Sequence, residues 1–349
     1  MHFFSMTFRL GLLMAVVCIA LSSCSKLFSP RGSGKIPDTD QTETLLKAHV
    51  FHLADSIGER NVYHPGSMER SARYIEQKLE GMGYAVTRQA VRIPPSGKFG
   101  AVKDWTAYNL IAIKKGTSPR PKTLIVGAHY DGTGTGDNGS GIALALTTAQ
   151  KLFAVETEYT VVFVFFTAEE LGLYGSEAYA QNMTQEEIDN TLYMINIDSV
   201  VCGDYCYLYG GVQDNENQTV TDTEAFDNAW AVAESLGLSF KKNPWTWGNL
   251  SPENYDDVTP DYASPSTGDW SDHVYFKDLG IKYLYMEATN WEIPDYTGYG
   301  ETYLIGMLMN TENDYLEYIE KYFPGRPLEH LTQFSALLNA LLTQTDLNF

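Results

Sequence analysis

Three apolar, β-branched runs in this chain are each followed by side chains that commonly bind metal ions. Leu124–Ala128 precedes His129-Tyr130-Asp131, Tyr159–Phe166 precedes Glu169-Glu170, and Leu192–Ile197 precedes Asp198. Continuous runs of Val, Ile and Phe predict buried parallel strands, and ligands of open α/β sheets bind just beyond the carboxyl ends of such strands. We therefore expect one imidazole and several carboxylates at one edge of a sheet, a donor set that suits zinc or a similar divalent cation.

Helix and strand signals alternate along most of the sequence. Helical spacing of apolar residues covers Thr42–Ile57, Ser67–Met82, Thr223–Leu236 and Leu328–Leu342, and further strand signals cover Tyr84–Ile93, Tyr108–Ile113 and Tyr283–Met286. The alternation predicts the α/β class, with a largely parallel sheet that helices cover on both faces.

The first 24 residues are typical of an export signal. Arg9 precedes the apolar run Leu10–Leu21, which is short for a membrane span, and Leu21-Ser22-Ser23-Cys24 resembles the cleavage box of bacterial lipoproteins. We predict a signal peptide over residues 1–24, a flexible tether over residues 25–41 and one domain over residues 42–349. The protein is then expected to be exported and lipid-anchored through Cys24 to a bacterial cell membrane, on its periplasmic or cell-surface side. An ordinary signal peptide with a chance cysteine is the alternative.

The charge of the chain excludes one class of partner. Lys and Arg number 24 and Asp and Glu number 44, which gives a formal net charge of −20. An acidic surface without a basic stripe repels phosphate backbones, so we expect no nucleic-acid partner. The same charge is also what a solvated, soluble surface requires.

Two features leave alternatives open. The spacing of Cys202 and Cys206 in an exported protein favours a small-loop disulfide, and two free thiols are the alternative. The segments Lys242–Trp270 and Asn290–Gly300 lack periodicity and are rich in aromatic and polar residues. We interpret them as the wall of a substrate pocket, the alternative being surface loops without a role in binding.

Each short motif that could bind metal is ambiguous by itself. His129-Tyr130-Asp131 predicts an imidazole ligand whose second ring nitrogen is held by the Asp131 carboxylate, although a structural pair is commoner. Asp137 follows a Gly-rich run and could bridge two cations or simply precede a helix. Glu169 and Glu170 are costly at the end of an apolar strand unless a cation or proton stabilises them, or unless both are solvated at a helix N-terminus.

Four segments occur in the order that is typical of one protein family. They read Gly-Ala-His-Tyr-Asp at His129, Asp-Asn-Gly-Ser-Gly from Asp137, Phe-Thr-Ala-Glu-Glu-Leu-Gly-Leu-Tyr-Gly-Ser at Glu169, and Asn-Ile-Asp at Asp198. From about Thr42 onward the chain resembles the zinc aminopeptidase family of metallopeptidases, which includes bacterial leucyl-type aminopeptidases and, as a side branch, glutaminyl cyclases. The resemblance implies a three-layer α/β/α sandwich around a mixed, mostly parallel sheet.

The resemblance also implies roles for individual residues. The implied metal ligands are His129, Asp137 and Asp198 for one zinc ion, and Asp137 with Glu170 for a possible second ion. The implied catalytic residues are Glu169, as the general base, and Asp131. The residues expected at the substrate are Tyr174, Asp272 and His273.

One ligand position departs from the family pattern. The family has a late histidine in a His-Thr-x-x-Asp segment, whereas the corresponding residues here are Asn310-Thr311-Glu312-Asn313-Asp314. We therefore place Asn310 at the second metal position. An amide oxygen is a poorer zinc ligand than imidazole, so we expect this position to be weak or to be completed by another group such as His273.

Three functions are compatible with these residues. The first is a metal-dependent aminopeptidase in which the metal activates water and Glu169 takes its proton. The second is a glutaminyl-cyclase-type acyltransferase, which needs only one metal ion. The third is a non-catalytic peptide-binding relative with a degraded second metal site. Peptides are the expected partners in each case, and the sequence does not predict an oligomeric state.

Overall fold

The computed structural model of the protein describes residues 39–61, 63–95, 104–119, 121–214, 219–243, 268–293, 300–345 and 347. These residues belong to one unit, Pro37–Phe349. The predicted signal peptide, nearly all of the predicted tether, most of Lys242–Trp270 and residues 294–299 lie outside the described ranges. Within those ranges no helix is both long and apolar enough to cross a bilayer.

Helices and strands alternate along the described chain. The helices are α1 Thr39–Phe51, which continues as a π-helical segment His52–Ile57, α2 Pro65–Met82, α3 Gly139–Phe153, α4 Tyr174–Gln181, α5 Gln185–Asn190, α6 Glu224–Ser235, α7 Val274–Asp278, α8 Leu316–Tyr322 and α9 Arg326–Leu342. The strands are β1 Val86–Ile93, β2 Trp105–Lys114, β3 Thr123–His129, β4 Thr160–Phe166, β5 Thr191–Ile197, β6 Tyr205–Tyr209, β7 Val212–Asp214, β8 Thr219–Thr221 and β9 Lys282–Thr289.

Seven of the strands form one mixed sheet in the order β1-β2-β4-β3-β5-β9-β6, and β7 pairs with β8 separately. The four neighbours β4, β3, β5 and β9 are parallel. The pairs β1/β2, β2/β4 and β6/β9 are antiparallel. Only β2 and β6 of the seven therefore run against the common direction, which confirms the expected mixed, mostly parallel sheet.

Helices cover both faces of this sheet. On one face, strand residues such as Leu124 and Val126 pack in a large core with residues of α1, α2, α3, α6 and α9. On the other face, Ile125 and Phe166 pack in a smaller core with residues of α4, α5 and α7. Because successive side chains of a strand point to opposite faces, a continuous apolar run such as Leu124–Ala128 supplies both cores at once. The result is the three-layer α/β/α arrangement.

The predicted elements are present, with small differences at their ends. The helix expected over Ser67–Met82 begins at Pro65, since proline is well tolerated in the first turn, and it ends at Gly83 in a left-handed conformation with φ 104°. The strand expected at Tyr108–Ile113 extends over all of β2. The sequence did not predict β6, β7, β8 and the short helices α4, α5, α7 and α8, which are too short for a periodic signal.

The disulfide considered for Cys202 and Cys206 is not formed. Both cysteines are free and buried. Cys206 lies within β6, opposite Ala288 of β9. The Cys202 thiol instead lies 3.6 Å from Asp314 Oδ1. The strand that begins at Tyr205 thus places the two side chains in different surroundings, so their closeness in sequence was misleading.

Candidate metal centre

The carboxyl ends of three neighbouring strands bring the predicted ligands together. His129 is the last residue of β3 and lies opposite Phe166, the last residue of β4. Glu169 and Glu170 follow β4, and Asp198 follows β5 directly. Because β4, β3 and β5 are parallel neighbours, their ends meet at the same edge of the sheet.

The ring nitrogen Nε2 of His129 is the centre of this group. It lies 3.2 Å from Asp137 Oδ1, 3.2 Å from Asp198 Oδ1 and 3.9 Å from Glu169 Oε2. One ligand atom each of His129, Glu169 and Asp198 lies within 4.8 Å of the other two. Ligand atoms that surround a tetrahedral zinc at about 2.0–2.2 Å are themselves about 3.3–3.6 Å apart, and the distances from His129 Nε2 to Asp137 and Asp198 are close to that spacing.

Both ring nitrogens of His129 lie at hydrogen-bond distance from oxygen atoms. Its Nδ1 lies 3.1 Å from the main-chain oxygen of Asp131. If Nδ1–H donates to that carbonyl, Nε2 carries a lone pair that faces two carboxylate oxygens. In that tautomer the three atoms repel one another, and either a proton on Nε2, which the raised pKa of His129 favours, or a bound cation relieves the repulsion. The donor set and its arrangement therefore fit a divalent metal ion.

The Asp131 carboxylate binds the backbone amides of the two glutamates and not the imidazole of His129. It lies 3.6 Å from His129 Nδ1, which is beyond hydrogen-bond distance. Its two oxygens accept hydrogen bonds from the backbone amides of Glu169, at 3.2 Å, and of Glu170, at 3.1 Å. The sequence assigned the imidazole contact to this side chain, but the backbone carbonyl makes it. The Asp131 carboxylate positions the turn after β4 instead.

Among the described residues, one oxygen each of the predicted ligands Asp137 and Glu170 is buried without a hydrogen-bond partner. These atoms are Asp137 Oδ1 and Glu170 Oε1. Buried acceptors of this kind are costly unless a cation or proton satisfies them. The other oxygen of Asp137 accepts a hydrogen bond of 2.8 Å from the side-chain amide of Asn310. The Asn310 side chain thus lies beside Asp137 and contacts it through its NH₂ group.

Burial and mutual repulsion shift the pKa values of these carboxyl groups. Burial raises the pKa of Glu170 to about 9, and the charge of Asp137 adds to the shift. Burial also raises the pKa of Glu169 well above its usual range, with His129 opposing and Asp198 adding. Although burial disfavours its charge, His129 has a raised pKa because of Asp198 and Glu169. A bound cation favours the ionised carboxylates, so such a cluster is typical of a metal site.

Side chains to which the sequence assigned no role hold the loop before α3 and the Asp198 carboxylate. Asp314 accepts hydrogen bonds from the backbone amides of Gly136, at 2.7 Å, and Asp137, at 3.1 Å. Ser271 donates to Asp198 Oδ2 at 2.8 Å. In the sequence, Asp314 was visible only as the last residue of the Asn310–Asp314 segment, and Ser271 only as the neighbour of Asp272. Arg60, which also contacts this loop, had no recognisable signal.

The three residues that were predicted to contact the substrate lie in different surroundings. Asp272 is buried near the centre, and burial raises its pKa to about 7, with His129 opposing. The His273 ring is buried and lies against Tyr283 and Tyr285, with centroids 4.5 and 5.2 Å apart. Its place among these aromatic rings does not support the idea that it completes the second metal position. The Tyr174 ring packs beside Ile93, Ala107 and Ala168.

Comparison with known proteins identifies the family. The model of peptidase family M28 matches residues 109–304, more than half of the chain. The chain belongs to peptidase family M28. The family suspected from the four sequence segments is thereby confirmed.

Two relatives of this M28 protein are similar in sequence. The alkaline phosphatase isozyme conversion protein of Escherichia coli is 30% identical over 273 residues, which cover 71% of this chain and 73% of the relative. Aminopeptidase YwaD of Bacillus subtilis is 28% identical over 233 residues, which cover 64% of this chain and 43% of that protein. The M28 chain thus spans under half of the second relative.

Solved structures share the fold. A zinc aminopeptidase from Bacillus subtilis superposes with a TM-score of 0.65 at 17% identity, over 86% of this chain and 95% of that one. The glutaminyl cyclase of Porphyromonas gingivalis gives a TM-score of 0.58 at 16% identity, over 88% and 99%. The expected α/β/α fold is therefore confirmed, and it is common to enzymes of both kinds.

Proposed function

We propose that this M28 protein is an aminopeptidase that uses one firmly bound divalent ion, in the simplest case zinc, at His129, Asp137 and Asp198. The observation that carries the proposal is the approach of one imidazole nitrogen to two carboxylate oxygens, each at 3.2 Å. Membership of a peptidase family supports peptide hydrolysis, and a relative named as an aminopeptidase supports cleavage at the N-terminus.

Glu169 is the general base in this proposal. Its Oε2 atom lies 3.9 Å from His129 Nε2, close to the metal position, and the Asp131 carboxylate fixes its backbone. A bound divalent ion would polarise the substrate carbonyl and lower the pKa of nearby water. The Glu169 carboxylate takes a proton from the attacking water and returns it to the departing amine, so one water molecule is consumed for each peptide bond.

A second ion is not required by the proposal. Asp137 Oδ2 accepts a hydrogen bond of 2.8 Å from the side-chain amide of Asn310. If Asp137 bridged two cations, this oxygen would bind the second one. The hydrogen bond from Asn310 satisfies the oxygen without a second cation. We expect Glu170 to bind metal weakly at most, because it lacks an imidazole partner there.

Glutaminyl cyclisation is the second candidate, favoured by the shared fold with the Porphyromonas gingivalis enzyme. A panel of fluorogenic aminoacyl substrates, assayed beside a peptide with N-terminal glutamine, separates the two activities. We expect release of the fluorophore and no pyroglutamyl product. Cyclisation without hydrolysis would assign the acyltransferase function. The absence of both reactions would indicate a peptide-binding protein.

We also propose that the protein acts outside the cytoplasm, held to a bacterial membrane by lipid on Cys24. The support is the apolar run Leu10–Leu21 and the Leu21-Ser22-Ser23-Cys24 box. Substrates would then be peptides on the outer side of that membrane.

A further inference from the structure

A fully buried arginine joins the metal-binding loop to the helical segment near the start of the fold. Arg60 is 0% exposed. We propose that Arg60 is a positioning residue that fixes the backbone between His129 and Asp137 for metal binding. The inference rests on the proposed function, because it assumes that these residues bind a metal ion.

The guanidinium group makes all its hydrogen bonds to backbone carbonyl oxygens. On the loop it donates to Tyr130 at 3.1 Å, to Gly134 at 2.8 Å and to Asp137 at 3.5 Å. On the helical side it donates to Leu53 and Gly58, both at 3.1 Å. One side chain therefore connects the two segments, and its planar fork determines how the carbonyls are oriented.

The backbone of Arg60 strengthens this connection. Its amide donates to the Gly132 carbonyl at 2.9 Å, and the Gly132 amide donates back at 3.0 Å. Gly132 has φ 122°, and a Cβ atom added there would lie 2.4 Å from the Asp137 carbonyl oxygen. The loop thus turns back tightly on itself between the two proposed ligands, at a place where only glycine fits.

Arg60 and Asp314 hold opposite polar groups of the same loop. Arg60 binds the carbonyl oxygens of Gly134 and Asp137, whereas the Asp314 carboxylate binds the amides of Gly136 and Asp137. The peptide groups on both sides of the Asp137 side chain are therefore fixed. A ligand held in this way keeps its position before metal binds, which lowers the cost of binding.

The charge of Arg60 is not neutralised by a direct ion pair. Among the described residues no carboxylate oxygen lies within 4.0 Å of its guanidinium nitrogens. Burial lowers the pKa of Arg60, while Asp314, Asp137, Asp131 and Glu170 raise it. The group stays protonated, and its hydrogen bond to the Asp137 carbonyl places its charge on the Asp137 side of the centre. Asn310, which lies there too, is neutral.

Cobalt(II) binding tests the inference, because its visible absorption reports ligand geometry without requiring turnover. The variants are Arg60→Lys, which keeps the charge but loses the fork, and Arg60→Gln, which loses both. We expect Co²⁺ affinity to fall about 10–100-fold, as for other groups that orient metal ligands, with the larger loss in Arg60→Gln. Both variants should also show a shifted Co²⁺ spectrum.

Arg88→Lys is the matched control. Arg88 pairs with Glu76 and Glu69 of α2, away from the ligand loop. This variant should bind Co²⁺ with the affinity and spectrum of the unmodified protein. Folded Arg60 variants that do the same would overturn the inference while leaving the proposed function intact. An unmodified protein that binds no Co²⁺ would overturn both.

Hydrogen–deuterium exchange on the unmodified protein provides a second measurement that does not depend on folding of a variant. Because coupling between sites is reciprocal, metal bound at His129 should slow amide exchange in residues 53–60, which contribute no ligand. Residues 326–342 of α9 serve as the internal control and should not change. Unchanged exchange in residues 53–60 on Co²⁺ addition would contradict the positioning role.

Discussion

Among single residues, Glu169 has the most specific proposed role, that of the general base. It adjoins the metal position but is not one of the three proposed ligands, so Glu169→Gln should keep the bound metal and lose the proton acceptor. We expect turnover of an aminoacyl substrate to fall about 10²–10⁴-fold. Metal content and kcat, measured together, test this. Glu177→Gln, the same change at a half-buried residue of α4 that is not one of the proposed site residues, should retain full activity, and a fully active Glu169→Gln protein would place the base elsewhere.

We propose that the residue at position 310 determines how many ions the centre holds. Its amide donates to Asp137 Oδ2, so replacing it by histidine would exchange a hydrogen-bond donor for a zinc ligand. We expect Asn310→His to raise bound zinc from about one ion per chain toward two, by analogy with two-metal peptidases. Isothermal titration with zinc counts the ions. Asn313→His, the same exchange three residues later, should leave the count unchanged; an equal rise in both variants would refute this reading of the segment.

At the scale of secondary-structure elements, Asn138 connects α3 to the end of β5. Its side chain accepts the amide of Gly141, at 2.9 Å, and that of Ser199, at 3.2 Å, and it donates to Ile197 at 2.8 Å. Asn138→Ala removes a helix cap and leaves buried groups unpaired, so we expect about 2 kcal/mol or more of lost stability. The free energy of unfolding and the zinc affinity should both fall.

Thr184→Ala is a matched control for that variant. Thr184 caps α5 through the amide of Glu187 at an exposed site. Its loss should cost about 1 kcal/mol in unfolding free energy. Zinc affinity should not change. If both variants weaken zinc equally, the effect comes from general destabilisation and not from the connection between Asp137 and Asp198.

The elements also show what the sequence could and could not predict. The apolar runs of β3, β4 and β5 predicted parallel strands, and the residues after them predicted which ligands meet, because strand ends coincide at a sheet edge. The position of Asn310 required the family pattern. The contacts of Arg60 and Ser271 join segments far apart in the chain and leave no periodic signal, so only the folded structure reveals them.

For the whole molecule, the proposed membrane anchor is open to a direct test. Lipid would be attached at Cys24, so Cys24→Ser in the full chain should abolish incorporation of labelled fatty acid and shift the protein from the membrane to the soluble fraction, or leave its precursor uncleaved. We expect the acyl chains on Cys24 to be the membrane anchor. Cys206→Ser, which changes a buried core thiol, should still incorporate label; unchanged labelling of Cys24→Ser would indicate another attachment site.

The central claim is that this M28 fold holds one tightly bound divalent ion at His129, Asp137 and Asp198. The most direct measurement is the number of zinc ions per chain that remain after equilibrium dialysis, determined on the unmodified protein and on His129→Gln. We expect about one ion in the first and none in the second, since loss of the imidazole removes a ligand. Two ions retained by the unmodified protein, or an undiminished count in His129→Gln, would contradict the claim.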